Sequence, residues 1–247
     1  MIEKKQRLDQ ILFNRNLAES KTKAQAMIMA GQVFVEGKII NKSGFNININ
    51  AAIEIKNLGP KWVSRGANKL LTALEKNKII VKNKTCIDLG SSTGGFTDVL
   101  IQSGAYKVYA VDVGTNQLHE KLKKNNKVIS LEKTNARYLK KNQFEELIDI
   151  MVCDVSFISL KKVIEPNLNL LKDESFIIAL IKPQFESKKN ETKKGVVKDF
   201  LIHQRICNEI SEWFEAIGYS KVLSINESPI KGPKGNIEFL ITVKYQK

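Results

Sequence analysis

Cysteine is scarce in this chain. The three cysteines in 247 residues, Cys86, Cys153 and Cys207, are too widely spaced for a metal-ligand pair and too few for a disulfide framework. Cys86 and Cys153 lie inside apolar runs, so buried free thiols in a reducing cytosol are expected, and no metal. Long apolar runs are missing too: the run Phe176–Ile181 falls far short of the ~20 residues that span a bilayer. The start, MIEKKQRLDQ, has no apolar signal-peptide core. A cytoplasmic monomer with no stable membrane association is expected. Acids are outnumbered, 26 against 40 bases, for a formal net charge of +14. Such an excess suggests a polyanionic partner, nucleic acid ahead of an anionic membrane surface. The many Ile, Lys and Asn residues are also what an AT-rich genome produces.

Residues 1–59 read as a small α+β unit. "RLDQILFNRN" puts Leu8, Ile11 and Leu12 on one helical face. "SKTKAQAMIMAG" offers an N-cap at Ser20, an apolar stripe of Ala24, Met27 and Ile28, and a helix-ending Gly31. "QVFVEGKII" follows as two short strands around Glu36-Gly37-Lys38. Arg7, Arg15, Lys21, Lys23 and Lys38 avoid the apolar stripe. They suit either recognition of an RNA backbone or a plain solvated face. The pattern resembles the αL RNA-binding module of the fourth small-subunit ribosomal protein, with Lys21 where an arginine is usual.

Residues 60–64 read as a joint, and Ser64 is placed to cap a helix through "GANKLLTALEKN". From residue 65 to 247, short apolar strands alternate with amphipathic segments. Strands are expected near Thr85–Leu89, Val108–Asp112, Val128–Leu131, Ile148–Cys153 and Phe176–Ile181, forming a parallel sheet covered by helices. The closing "KVLSINESPIKGPKGNIEFLITVKY" reads as an antiparallel hairpin.

"CIDLGSSTGGFTDVL" ends a strand at Asp88-Leu89, passes a glycine loop and opens a helix near Phe96. Its Gly90-x-x-x-Gly94-Gly95 spacing is not the dinucleotide fingerprint, because Ser92 stands where the second glycine belongs. It also lacks the P-loop lysine. Asp88 and Asp112, at two strand ends, would hold ribose hydroxyls and a cationic group while repelling phosphate. S-adenosyl-L-methionine has those features. The alternative is a structural turn between acidic strand ends.

The loop resembles motif I of class I (Rossmann-like) methyltransferases, most closely the FtsJ-like RNA 2′-O-methyltransferases. With "CDVSFISL", "ALIKPQFE" and "SPIKGPKGNIEFL", the chain is similar to the TlyA family, haemolysin-A-like methyltransferases of cytidine in ribosomal RNA. The resemblance implies a seven-stranded sheet with its last strand antiparallel, and ribosomal RNA or subunits as partners. It places cofactor contacts at Asp88, Gly90, Ser91, Ser92, Gly94, Gly95, Phe96, Asp112, Val113, Asn135 and Asp154. It also implies a Lys-Asp-Lys-Glu tetrad at Lys69, Asp154, Lys182 and Glu238. Lys182 would be the general base, oriented by Asp154 and Glu238 and assisted by Lys69. On its own stretch, Lys182 reads rather as a lysine reaching solvent at a strand end.

Four further readings stay open. Asn135 suits an adenine contact or a helix cap. Residues 187–199 suit a lid or a solvated insertion, and with Arg65 they are candidate RNA contacts. The amphipathic segment 200–218 is the one candidate for a lytic membrane helix, but its glutamates fit packing on the sheet better. A catalytically inactive, RNA-binding ribosome assembly factor is the third functional alternative.

Overall fold

The structure is a computed structural model describing residues 5–56, 62–218 and 220–246. The chain forms two compact units that divide ahead of Trp62. Residues 60 and 61 of the expected joint lie outside the described residues. Trp62, Val63 and Ser64, read from sequence as linker, belong instead to the second unit. Trp62 packs on its apolar core, and the Val63 N–H donates to the Asp98 carboxylate at 3.0 Å.

In the first unit, β1 (Lys5–Arg7) pairs antiparallel with β4 (Asn46–Asn48), and β2 (Val33–Val35) lies between β3 (Lys38–Ile39) and β5 (Ile53–Ile55). Helices α1 (Leu8–Asn14) and α2 (Lys21–Met29) bury Leu8, Ile11, Leu12, Ala24 and Ile28 against Val33, Val35 and Ile47. Ser20 caps α2, accepting the Lys23 N–H at 3.1 Å. Gly31 ends it in the left-handed region at φ 70°, while the Gln32 N–H reaches back to the Met27 carbonyl. Glu36 and Gly37, both at positive φ, make the two-residue turn between β2 and β3.

The second unit comprises α3 (Ala67–Lys76), β6 (Thr85–Leu89), α4 (Gly95–Gln102), β7 (Lys107–Val111), α5 (Glu120–Lys123), β8 (Val128–Leu131), β9 (Ile148–Cys153), α6 (Lys161–Ile164), β10 (Leu171–Ile181), α7 (Pro183–Glu186), α8 (Phe200–Glu215), β11 (Lys221–Glu227) and β12 (Phe239–Tyr245). Its seven strands lie in the order β11-β12-β10-β9-β6-β7-β8, and only β12 runs against the rest. The closing hairpin thus inserts its last strand beside β10, leaving β11 at the edge.

Period-two alternation sends each central strand's side chains to two cores. Ile87, Leu89, Met151, Cys153, Ile177 and Ala179 face α6 and α8. Cys86, Ile150, Val152, Ile178 and Leu180 face α3 and α4. All three cysteines are free and buried, and burial pushes their thiols up, Cys207 to about 11. The apolar face of α8 is covered: Ile206, Cys207, Ile210 and Phe214 pack on the sheet. Among the described residues no helix is long and apolar enough to cross a membrane. Chain order reverses between β6 and β9, so their C-terminal ends open a crevice at the topological switch point.

Candidate active site

Two adjoining cavities fill that crevice, of about 220 and 510 Å³, and they share Gly90, Ser92, Asp154 and Ser156. The smaller is lined by Asp88, Ser91, Gly95, Phe96 and Lys182, the larger by Asp112, Val113, Asn135, Phe157 and Ile158.

The loop after β6 is built for close approach. Gly90 sits at φ 84°, and a Cβ there would lie 2.8 Å from the Asp154 backbone oxygen. Gly94, at φ 94°, precedes α4. Asp112 fixes the loop from the next strand: one carboxylate oxygen accepts the Ser92 N–H at 2.8 Å, the other the Gly114 N–H at 2.7 Å. Its orientation is set, and lone pairs remain for a ligand hydroxyl.

Asp88 is fully buried. Its Oδ2 accepts the Thr97 N–H at 3.0 Å and the Thr97 hydroxyl at 2.7 Å, while Oδ1 finds no partner. Burial pushes this carboxyl up to about 7; the Thr97 bonds oppose the rise, and Asp154 and Asp112 add to it. Asn135 does cap: its Oδ1 accepts the Arg137 N–H at 3.1 Å at the start of a single 3₁₀ turn. It also faces the larger cavity, so capping and lining coexist.

The four expected tetrad residues form one chain of ion pairs. Glu238 lies 2.8 Å from the Lys69 amine, Lys69 lies 3.5 Å from one Asp154 oxygen, and Lys182 lies 2.6 Å from the other. Lys182 and Lys69 are about nine-tenths buried, and Glu238 is 1% exposed. Lys182 therefore does not snorkel to solvent. The sequence expectation that Glu238 orients Lys182 directly is corrected: Glu238 holds Lys69, which reaches Lys182 only through Asp154. Topology explains this, because α3 covers the face where Glu238 enters β12. Lys182 has a second partner that sequence missed, the Ser156 hydroxyl at 2.9 Å. Serine two residues beyond the aspartate was the available signal.

Phe157 was missed as well. It is 90% exposed and sits at φ 65°, with its ring 5.1 Å from that of Phe185 at the cavity rim. A bulky residue at positive φ stores strain of ~1–3 kcal/mol, which persists only where the surrounding structure holds it.

One further expectation fails. Ser64 does not cap α3; Gly66 stands at that position with no side-chain bond, and Ser64 lines the smaller cavity. Two arginines of the first unit are engaged internally. Arg7 forks onto buried Asp9, with bonds of 2.6 and 3.0 Å. Arg15 donates to the carbonyls of Ala51 and Ile49. Lys21, Lys23, Lys38 and Arg65 are exposed.

A glycine loop, two strand-end acids and a buried charged tetrad at the switch point of this seven-stranded order define a class I methyltransferase. Residues 62–245 match the FtsJ-like methyltransferase model and residues 6–53 the S4 domain. The chain belongs to the TlyA family of FtsJ-like methyltransferases. It is 42% identical to "Hemolysin A" of Brachyspira hyodysenteriae over 95% of this chain and 98% of that one. It is 37% identical to "16S/23S rRNA (cytidine-2'-O)-methyltransferase TlyA" of Mycobacterium tuberculosis over 97% and 90%. A solved structure from Streptococcus thermophilus, bearing a hemolysin name, superposes with a TM-score of 0.73 at 37% identity, covering 99% of this chain and 90% of that one.

Proposed function

We propose that the chain methylates the 2′-hydroxyl of cytidine in ribosomal RNA in the cytoplasm, with S-adenosylmethionine as donor and Lys182 as general base. The observation that carries this is the ion-pair chain Glu238–Lys69–Asp154–Lys182, whose last two members line the smaller cavity. The rRNA and cytidine assignments rest on relatives' names and the S4 domain.

The residues present fit the cofactor. Asp88 Oδ1 is a buried acceptor with no protein partner, suited to an ammonium donor. Asp112 is held ready for ribose hydroxyls, and Val113, Asn135 and Ile158 flank the space an adenine would take. The carboxylates at both ends disfavour phosphate. When bound, S-adenosylmethionine supplies a methyl group on a sulfonium, open to attack by an oxygen.

A ribose hydroxyl is a weak nucleophile until its proton is accepted, and only a neutral amine can accept it. Asp154 and Ser156 fix the direction of the Lys182 amine. Lys69, clamped between Glu238 and Asp154, keeps Asp154 from turning away and adds positive charge beside the site. Lys21, Lys23, Lys38 and Arg65 are exposed cations that suit an RNA backbone.

Incubation of unmodified ribosomal subunits with the protein and S-adenosylmethionine should yield 2′-O-methylcytidine by nucleoside mass spectrometry. Methylation on a base, or no incorporation, would overturn the reading. Phe157 should stack on a base of the substrate. Base–aromatic stacking is worth ~1–3 kcal/mol, so Phe157→Ala should raise KM for RNA about tenfold, and Phe157→Trp should restore it. Unchanged kinetics in the alanine variant would remove the stacking role.

A further inference from the structure

The loop that follows Lys182 and the loop that precedes Glu238 enclose a separate concavity of about 540 Å³. Lys193, Lys194, Lys198, Lys231 and Lys234 line it, over a floor that includes Ile237, and among the described residues no carboxylate faces it. We propose that this five-lysine cradle binds consecutive phosphates of the RNA strand that carries the target ribose. The inference rests on the RNA methyltransferase reading.

Sign comes first. Some lysines of this unit are matched, Lys84 and Lys172 sharing Asp149 and Lys107 pairing with Glu145. Among the described residues none of the five cradle lysines has a carboxylate within ion-pair distance, and all five are exposed. Five like charges around one hollow repel one another, and a polyanion relieves that repulsion. The tetrad, two lysines against two acids, is formally neutral and gives a nucleic-acid strand no net attraction.

Rigidity comes second. One buried side chain, Asn236, fastens the two loops together: its Oδ1 accepts the Val197 N–H at 3.3 Å and its Nδ2 donates to the Gly195 carbonyl at 3.0 Å. Its own carbonyl accepts the Gly232 N–H at 2.9 Å. Val197 is buried and bonded to His203 at 3.0 Å. Lys194 and Gly195, both at positive φ, turn the strand back so that Lys193 pairs with Val196. The segment 187–199 is thus anchored rather than a loose insertion.

Placement comes third. Ile237 adjoins Glu238, and Gly232 lies so close that a Cβ there would meet a Glu238 oxygen at 2.1 Å. The cradle is thus built from the segments that leave Lys182 and lead into Glu238, two members of the tetrad. Lysines are point charges without a planar fork, so such a site holds backbone without reading sequence.

The test uses the full-length Lys194→Gln/Lys234→Gln variant, with a fluorescein-labelled single-stranded RNA as binding probe and ribosomal subunits for kinetics. Each lost phosphate contact removes about 0.7 from the slope of log K against log salt, so the slope should become shallower by about 1.4. Affinity at low salt should fall at least tenfold. KM for subunits should rise while S-adenosylmethionine affinity, which also reports correct folding, stays at the wild-type value. The Lys→Arg pair should restore RNA binding, and Lys231→Glu, at an exposed position, should repeat the loss. Wild-type affinity and slope in both neutralised and reversed variants would overturn the cradle alone. A wild-type protein that neither binds nor methylates RNA would remove the parent reading with it.

Discussion

Lys182→Met is expected to cut methyl transfer about 10³-fold, with binding of S-adenosylmethionine and of RNA retained. General base catalysis contributes ~10²–10⁴, and this variant removes the one amine that Asp154 and Ser156 jointly aim into the smaller cavity. Methionine fills similar volume, so the nearby packing survives. Asp154 keeps its contact with Lys69 at 3.5 Å and is partly open to solvent, so no carboxylate is stranded without a partner. Lys182→Arg separates two explanations. Arginine keeps the positive charge but cannot release its proton in this range. If Lys182 serves only as a fixed charge, arginine should recover much of the rate; if it accepts the proton, arginine should be as poor as methionine. Single-turnover rates on ribosomal subunits decide between them, and near-wild-type turnover in the methionine variant would refute the mechanism without touching the fold.

Asp88→Asn is expected to stabilise the free protein at pH 8 while abolishing cofactor binding. The Asp88 carboxyl stands at about 7 because it is buried with one oxygen unpartnered, against ~3.9 in an unfolded chain. Between roughly pH 4 and 7 the folded state therefore holds a proton that the unfolded state has lost. Stability contributed by this group falls as pH rises through that window, and the penalty is complete above about pH 7. Raising a carboxyl that far costs the folded state about 4 kcal/mol once it must ionise. Asparagine keeps an acceptor for Thr97 and never ionises, so the difference between variant and wild type should be small near pH 4 and largest at pH 8. For a protein of this size that is a Tm difference of order 10 °C. Thermal melts of both proteins from pH 4 to 8 provide the measurement. A difference that does not change with pH would show that Asp88 is ionised throughout.

The central strands were legible because parallel strands buried on both faces read as largely apolar runs: Thr85–Leu89 and Ile148–Cys153 fall where sequence places them, as does the half-buried edge strand Val128–Leu131. β10 begins five residues earlier than expected, at Leu171, because polar Lys172–Ser175 interrupt its apolar signal and its register with β9 shifts there. The tetrad could be named because each member sits in a distinctive short motif, yet its wiring could not. Which acid grips which lysine depends on where α3 crosses β12, and no local pattern encodes that. Charge counting likewise could not show how Arg7 and Arg15 are held: one guanidinium is paired with Asp9 and the other with two carbonyls, while both residues stay exposed. Ser156 and Phe157 lie in an ordinary loop, where only the crevice beside them gives meaning to a hydroxyl and a ring.

Gly90 leaves no clearance between the glycine loop and the backbone of Asp154. The Asp154 N–H is in turn fastened to the Leu89 carbonyl at 3.0 Å. Two segments bolted and butted together in this way move as one piece. Whatever settles into the loop therefore lies against the one residue that pairs with both lysines of the tetrad.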